Sequence, residues 1–188
     1  HCNLGSILID LGNLQEAELF TRKAIELNPN FSLAYSNLGG LLRDLGNLQE
    51  AELATRKAIE LNPNYANSHY NLGIILKDFG NLQEAESSTR KAIELNPNYA
   101  EAHSNLGSIL RDRGELKEAL EIYMKAIEIN PGISNIYSNV KNLVSDSDIS
   151  KLNKSKLKHI LNLLLERNDI AHEELFKPFN FIYGNKLS

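Results

Sequence analysis

Apolar residues along this chain fall into two helical registers that take turns. From Ser32 to Arg43, Ala34, Leu38, Leu41 and Leu42 recur at the three- and four-residue spacing of one helix face. Gly46-Asn47 then interrupts the pattern. A second stripe, Leu48, Ala51, Ala58, Ile59 and Leu61, follows at once and stops at Asn62-Pro63, because proline has no N–H with which to continue a helix and disfavours helical geometry in the residue before it. The two stripes predict a pair of antiparallel helices joined by a tight turn. GNLQEAE, a short variable step and TRKAIELNPN occur from Gly12 to Asn30, from Gly46 to Asn64 and from Gly80 to Asn98, copies 34 residues apart, and a looser copy runs from Gly114 to Gly132. A unit of this size cannot bury its apolar face alone. Repetition at a fixed period predicts an all-α solenoid in which each hairpin is covered by its neighbours.

The same pattern predicts which positions approach closely and which face water. Gly5, Gly39, Gly73 and Gly107 on the first helices, and Ala17, Ala51, Ala85 and Ala119 on the second, stand where helices must come together. Glu18–Arg22, Glu52–Arg56, Glu86–Arg90 and Glu121–Lys125 are pairs four apart, each worth about 0.2–0.5 kcal/mol on an exposed helix, and they mark the solvated back of the second helix. Beyond Pro131, the residues Ile133, Ile136, Tyr137, Val140 and Leu143 restart a first helix, and Ser145 to Asp148 form a polar break. Leu157, Ile160, Leu161, Leu164 and Leu165 then make one apolar stripe opposite Lys151, Lys154 and Lys158, a lysine face that is either simply solvated or meets an acidic or membrane surface. Asp169 is placed to cap a last helix to about Tyr183, kinked at Pro178 and stopped at Gly184. These terminal helices are expected to cover the last apolar face of the array.

Charge and composition narrow the function classes. The formal net charge is −4, and the repeats are its acidic part, so the strongly basic face that nucleic-acid binding requires is not expected. The single cysteine, Cys2, cannot form an internal disulfide, which favours a reducing compartment and a cytoplasmic location. No apolar run approaches the roughly 20 residues that span a bilayer.

The repeat resembles the tetratricopeptide repeat (TPR). The residues that carry the resemblance are Leu-Gly early in the unit, Gly before the second helix, Ala within it, a second Ala seven residues later (Ala24, Ala58, Ala92, Ala126) and Pro29, Pro63, Pro97 and Pro131 at its end. It covers residues 1–133, as repeats 1–31, 32–65, 66–99 and 100–133, followed by a degenerate repeat helix and capping helices over 134–188. The large aromatic expected early in the unit is replaced by His1, Tyr35, His69 and His103, and the later one by Thr21, Thr55 and Thr89 until Tyr123 restores it, which predicts altered packing between helices. The resemblance implies a right-handed superhelix of helix-turn-helix hairpins whose first helices line a concave groove.

Asn3, Asn37, Asn71, Asn105 and Asn139 recur at the full repeat spacing within otherwise apolar first helices, where asparagine is a poor helix former. The array resembles the one in the superhelical TPR arm of protein O-GlcNAc transferases, and that resemblance implies amides that grip the backbone of an extended peptide. An amide offers both donor and acceptor to any peptide unit. The alternative is that these amides bond within the scaffold. Ser36, Tyr70 and Ser104, one position earlier, are mostly small and polar and leave the asparagines reachable, while Arg43, Lys77 and Arg111, each followed by Asp44, Asp78 or Asp112, edge the groove with mixed charge. TPR domains that clamp acidic chaperone C-termini use lysine and arginine inside the groove; here Asn, Ser and Leu33 stand there, which argues against that ligand class.

Catalytic and cofactor signals are weak. His69 and His103 stand at equivalent positions of stacked helices, roughly 8–10 Å apart, whereas metal ligands converge to about 2 Å from one ion. They are read as packing residues. His172-Glu173-Glu174 lacks the second histidine of a zinc-protease helix, and no phosphate-cradling glycine loop occurs. No metal, cofactor or catalytic residue is therefore expected. The expected function is a non-catalytic scaffold that binds a protein or extended peptide, with homo-oligomers through exposed solenoid ends a further expectation. Because His1 enters at the fourth position of a unit, the chain is also expected to be part of a longer protein. The alternative function is then the substrate-recognition arm of a modifying enzyme such as a glycosyltransferase.

Overall fold

The computed structural model describes residues 13–146, 153–166 and 175–183, all of which fall in helices or the turns between them. The helices are α1 (Leu14–Leu27), α2 (Ser32–Asp44), α3 (Leu48–Leu61), α4 (Ala66–Asp78), α5 (Leu82–Leu95), α6 (Ala100–Asp112), α7 (Leu116–Ile129), α8 (Ser134–Asp146), α9 (Lys154–Leu165) and α10 (Phe176–Tyr183). By internal contacts the chain divides into two compact units, residues 1–98 and 99–188. This division falls between two hairpins, just before α6.

Each turn has a local cause. α2 ends in Leu45, and Gly46 follows at φ 83°, a left-handed conformation that glycine adopts without a Cβ penalty. The Gly46 amide donates to Arg43 O at 2.9 Å and the Asn47 amide to Leu42 O at 2.8 Å, which satisfies two carbonyls that the helix end leaves open. Gly80 and Gly114 repeat the arrangement at φ 81°. At the other end of the hairpin the Asn-Pro-Asn sequence has a second function beyond stopping the helix. The side-chain oxygens of Asn28, Asn62 and Asn96 accept from the amides of Asn30, Asn64 and Asn98 at 3.2–3.3 Å, and Asn130 does the same for Gly132 at 3.0 Å. Each asparagine thereby builds the turn into the next first helix.

In the first unit the core is a layer of small and branched residues. Leu38 and Leu42 of α2 pack with Ala51 and Ala54 of α3 and Ile75 of α4. Helices α2 and α3 approach so closely that a Cβ on Gly39 would lie 2.0 Å from Thr55 Oγ1, and α4 and α5 so closely that one on Gly73 would lie 2.2 Å from Thr89 Oγ1. Thr21, Thr55 and Thr89 are buried and donate their hydroxyls to the carbonyls of Ala17, Ala51 and Ala85, each at 2.8 Å. The threonines thus satisfy themselves on their own helix, and Thr55 and Thr89 press against the facing Gly39 and Gly73. In the second unit Tyr123 takes that position, with its ring 2.8 Å from where a Gly107 Cβ would stand. The altered packing expected from the missing aromatics is a change of filler beneath a retained close approach.

The charged back of the second helices is more connected than spacing alone suggested. Arg22 bonds Glu18 at 2.8 Å and also Glu50 of the next hairpin at 2.6 Å; Arg56 bonds Glu52 at 2.8 Å and Glu84 at 2.5 Å. The hydrogen bond to the next hairpin's glutamate is the main cause that raises the pKa of each arginine, which stays charged. Arg90 pairs with Glu86 as expected. The fourth expected pair does not form: Glu121 bonds Lys156 of α9, and Lys125 turns to Glu128 at 3.2 Å, because α9 packs beside α7 and brings a competing cation.

The terminal helices differ from expectation in two respects. The lysine face of α9 is not simply solvated, since Lys154 lies 5.0 Å from the Phe181 ring centre and Lys158 lies 5.9 Å from that of Tyr183, placing both cations over aromatic faces of α10. Pro178 does not kink a long helix; it is the third residue of α10, where the missing N–H has no intrahelical partner to lose. Asp169, Gly184 and Lys151 lie outside the described residues. Asn153 caps α9, its side chain accepting from the amides of Ser155 at 2.9 Å and Lys156 at 3.2 Å.

Candidate functional site

Each first helix carries one asparagine at the same point. Asn37 on α2, Asn71 on α4, Asn105 on α6 and Asn139 on α8 are all half-buried, and Asn3 lies outside the described residues. In the first unit Asn71 Nδ2 donates to the Ser36 carbonyl at 3.2 Å and lies 3.4 Å from Ser36 Oγ. Because a carbonyl oxygen only accepts, this contact orients the amide, with nitrogen toward α2 and Oδ1 away from it. That Oδ1 has no partner within the protein and is not buried. In the second unit Asn139 Nδ2 donates to Ser104 Oγ at 3.3 Å. Asn71 and Asn139 thus each reach back 35 residues, to the residue just before the preceding hairpin's asparagine. The nitrogen side of Asn71 and Asn139 is spent on the scaffold; the oxygen side of Asn71 is open. Asn37 and Asn105 also have interactions of their own.

The neighbouring candidates separate into two groups. Ser36 and Ser104 are buried, 2% and 7% exposed; they sit between stacked first helices as acceptors for the next asparagine. Tyr70 and Lys77 are half-buried and each is engaged with other groups of the protein. Arg43 pairs with Asp44 at 2.8 Å and lies 3.8 Å from Asp78, and Arg111 pairs with Asp112 at 2.9 Å, so the edge is a network of both signs. Such half-exposed pairs contribute on the order of 0–1 kcal/mol to stability. The signal that sequence reasoning missed was the 35-residue offset between Ser36 and Asn71 and between Ser104 and Asn139, one more than the repeat length.

His69 and His103 are scaffold residues. His103 is buried, and His69 Nε2 lies 2.7 Å from the Pro63 carbonyl, so that nitrogen carries the proton and donates. Among the described residues no three His, Cys, Asp or Glu side chains are grouped to hold a metal ion, and no described helix is long and apolar enough to cross a membrane.

Comparison with known proteins gives the same architecture. A tetratricopeptide repeat profile matches residues 1–31, 32–65 and 100–133, more than half of the chain, and a second tetratricopeptide repeat profile matches 54–87. Among solved structures the chain is similar to MamA, at 25% identity over 88% of this chain and 95% of that one, with a TM-score of 0.71. It is also similar to TTC0263, a thermophilic TPR protein of Thermus thermophilus, at 21% identity over 100% and 97% with a TM-score of 0.73. A third is YrrB, a TPR protein with an unusual peptide-binding site, at 24% identity over 88% and 86% with a TM-score of 0.65. The last two bear on the fold alone. No curated protein matches the sequence significantly.

Proposed function

The chain belongs to the tetratricopeptide repeat family, whose repeats serve as protein-interaction scaffolds, and from that premise we propose that it binds an extended segment of a partner protein along its first helices, without catalysing a reaction. The observation that carries this reading is the Asn71 amide, held by its nitrogen and open at its oxygen. A carboxamide fixed in this way is a preorganised acceptor, and it loses little rotamer freedom when a ligand arrives. A peptide main chain supplies the complementary N–H at every residue but proline, so recognition through it is tolerant of side-chain identity. The peptide-binding site of YrrB supports the reading by likeness of fold. The contact residues proposed are Asn37, Asn71, Asn105, Asn139 and, by their place in the repeat, Asn3, with Tyr70, Arg43, Lys77 and Arg111 at the margins; Ser36 and Ser104 act behind them.

The test is the triple substitution Asn37→Ala, Asn71→Ala, Asn105→Ala, measured with a fluorescein-labelled peptide of about 12 residues selected on the wild-type chain from a random displayed library. With each lost hydrogen bond worth about 0.5–1.5 kcal/mol, affinity should fall at least tenfold while the helical circular-dichroism signal is retained. Unchanged affinity removes the ladder from the account.

A further inference from the structure

The blocks beginning at Gly12, Gly46 and Gly80 differ from one another only in the step between GNLQEAE and TRKAIELNPN, which reads Leu19-Phe20, Leu53-Ala54 and Ser87-Ser88. Leu19 and Leu53 are 66% and 69% exposed. The hairpin does not require leucine there, because the same helix forms around an exposed Ser87 in the next copy, and the looser copy has Glu121 at that point. A single exposed leucine is ordinary on a protein surface. These two stand side by side. Arg22 of α1 bonds Glu50 of α3 at 2.6 Å, so the two second helices are neighbours, and packed helix axes lie about 8–10 Å apart. Leu19 and Leu53 therefore make one apolar patch on an otherwise charged face, ended by Ser87 of α5.

The charges around the patch select its occupant. Glu16 and Glu50 stand three residues before the leucines, and Lys23 and Lys57 four residues after them, spacings that share the leucine's helix face. At the helical rise the acids lie about 4.5 Å toward the N-terminus and the lysines about 6 Å toward the C-terminus. The lysines pair with Glu26 and Glu60 at 2.7 and 2.8 Å, surface contacts weak enough to be shared. Two such faces match when they meet in opposite directions and clash when they meet in the same one. We infer that α1 and α3 form a two-fold interface with a second copy of this chain, in which Leu19 packs on Leu53 of the other copy, Glu16 meets its Lys57 and Glu50 meets its Lys23. Stable interfaces bury about 1,200–2,000 Å² in total; a patch centred on two leucines per copy stands at or below the low end, so the dimer is weak and reversible. An isologous contact closes at two copies, whereas stacking at the ends of the array would continue. The contact uses second helices and the asparagine ladder uses first helices, so this inference stands apart from the peptide-binding reading.

Sedimentation velocity on the full chain from about 5 µM to about 500 µM tests it, the range in which a contact of this size should dissociate. The wild-type sedimentation coefficient should rise with concentration and level off at two copies. Leu19→Ser combined with Leu53→Ser, which copies the third block at this point, should keep the helical circular-dichroism signal and weaken association at least tenfold. Glu16→Lys with Glu50→Lys, and separately Lys23→Glu with Lys57→Glu, should each weaken self-association, and an equimolar mixture of the two variants should recover it. The Asn37→Ala, Asn71→Ala, Asn105→Ala variant should dimerise like wild type. A wild type that stays monomeric at about 500 µM overturns the inference and leaves the leucines to a different protein. Association that survives the serine substitutions, or that grows past two copies, overturns it in favour of stacking at the ends of the array. Charge variants that dimerise singly as well as wild type, or that do not recover on mixing, overturn the two-fold pairing.

Discussion

Ser68 is the third residue of α4, fully buried, and its hydroxyl makes no hydrogen bond. The equivalent residues of the flanking repeats are Ala34 and Ala102, also 0% exposed, so the site is shaped for a methyl group. A buried hydroxyl without a partner carries a desolvation penalty of about 1–3 kcal/mol. Ser68→Ala removes that penalty and leaves a void of a single atom, which offsets a fraction of the gain. The expected result is a stabilisation of about 1–2 kcal/mol, or a rise of roughly 2–8 °C in midpoint at the 2–4 °C per kcal/mol typical of chains this long. Thermal and urea denaturation followed by circular dichroism measure it, and Ala34→Ser, which buries a hydroxyl in the same environment one repeat earlier, should lose a similar amount. A Ser68→Ala variant that is less stable than wild type refutes the reasoning, because it would mean that the hydroxyl has an acceptor in solution.

Two further predictions concern the contact between first and second helices. Gly39→Ala places a Cβ 2.0 Å from Thr55 Oγ1 and 3.1 Å from the Ala51 carbonyl, and overpacking of this kind should destabilise by about 1–3 kcal/mol after the helix-propensity gain; urea unfolding should also show partial rescue by Thr55→Ala. Burial pushes the Tyr123 phenol up from its usual value of 10.0 to about 12, with Arg111 and then the nearby Ser108 hydroxyl acting in the opposite direction; the hydroxyl itself lacks a hydrogen bond of good geometry. Because the folded pKa lies above the unfolded one, the unfolded state loses its proton first as pH rises. The contribution is intact below about pH 10 and is lost between about pH 10 and 12, to a total of about 2–3 kcal/mol. Tyr123→Phe should abolish that part of the alkaline loss, as judged by urea midpoints from about pH 8 to 11.5, without lowering stability at neutral pH; an unchanged alkaline slope would contradict the assignment.

The hairpin architecture was legible because its signals are local. Gly46 needs only its own φ, and Asn62-Pro63 needs only the residues beside it, so turns and helix limits follow from short stretches wherever they sit in the fold. The asparagine array was legible as a pattern for the same reason. Its chemistry was not. Whether an amide presents nitrogen, oxygen or both depends on what lies beside it 35 residues away, and the repeat length of 34 conceals the offset that pairs Asn71 with Ser36. Glu121 shows the same limit: four-residue spacing chose Lys125, and packing chose Lys156.

By itself, the order of residues determined an all-α stack of hairpins, the residues at each turn, the small positions where helices meet and the solvated back of each second helix. The tertiary structure decided which way Asn71 faces, that Ser36 and Ser104 are buried, and that Lys154 and Lys158 of α9 rest on aromatic rings. The division has a physical origin. Backbone conformation is governed by interactions within a few residues, whereas a side chain's hydrogen-bond partner is set by the lateral offset between stacked helices, which no single repeat encodes.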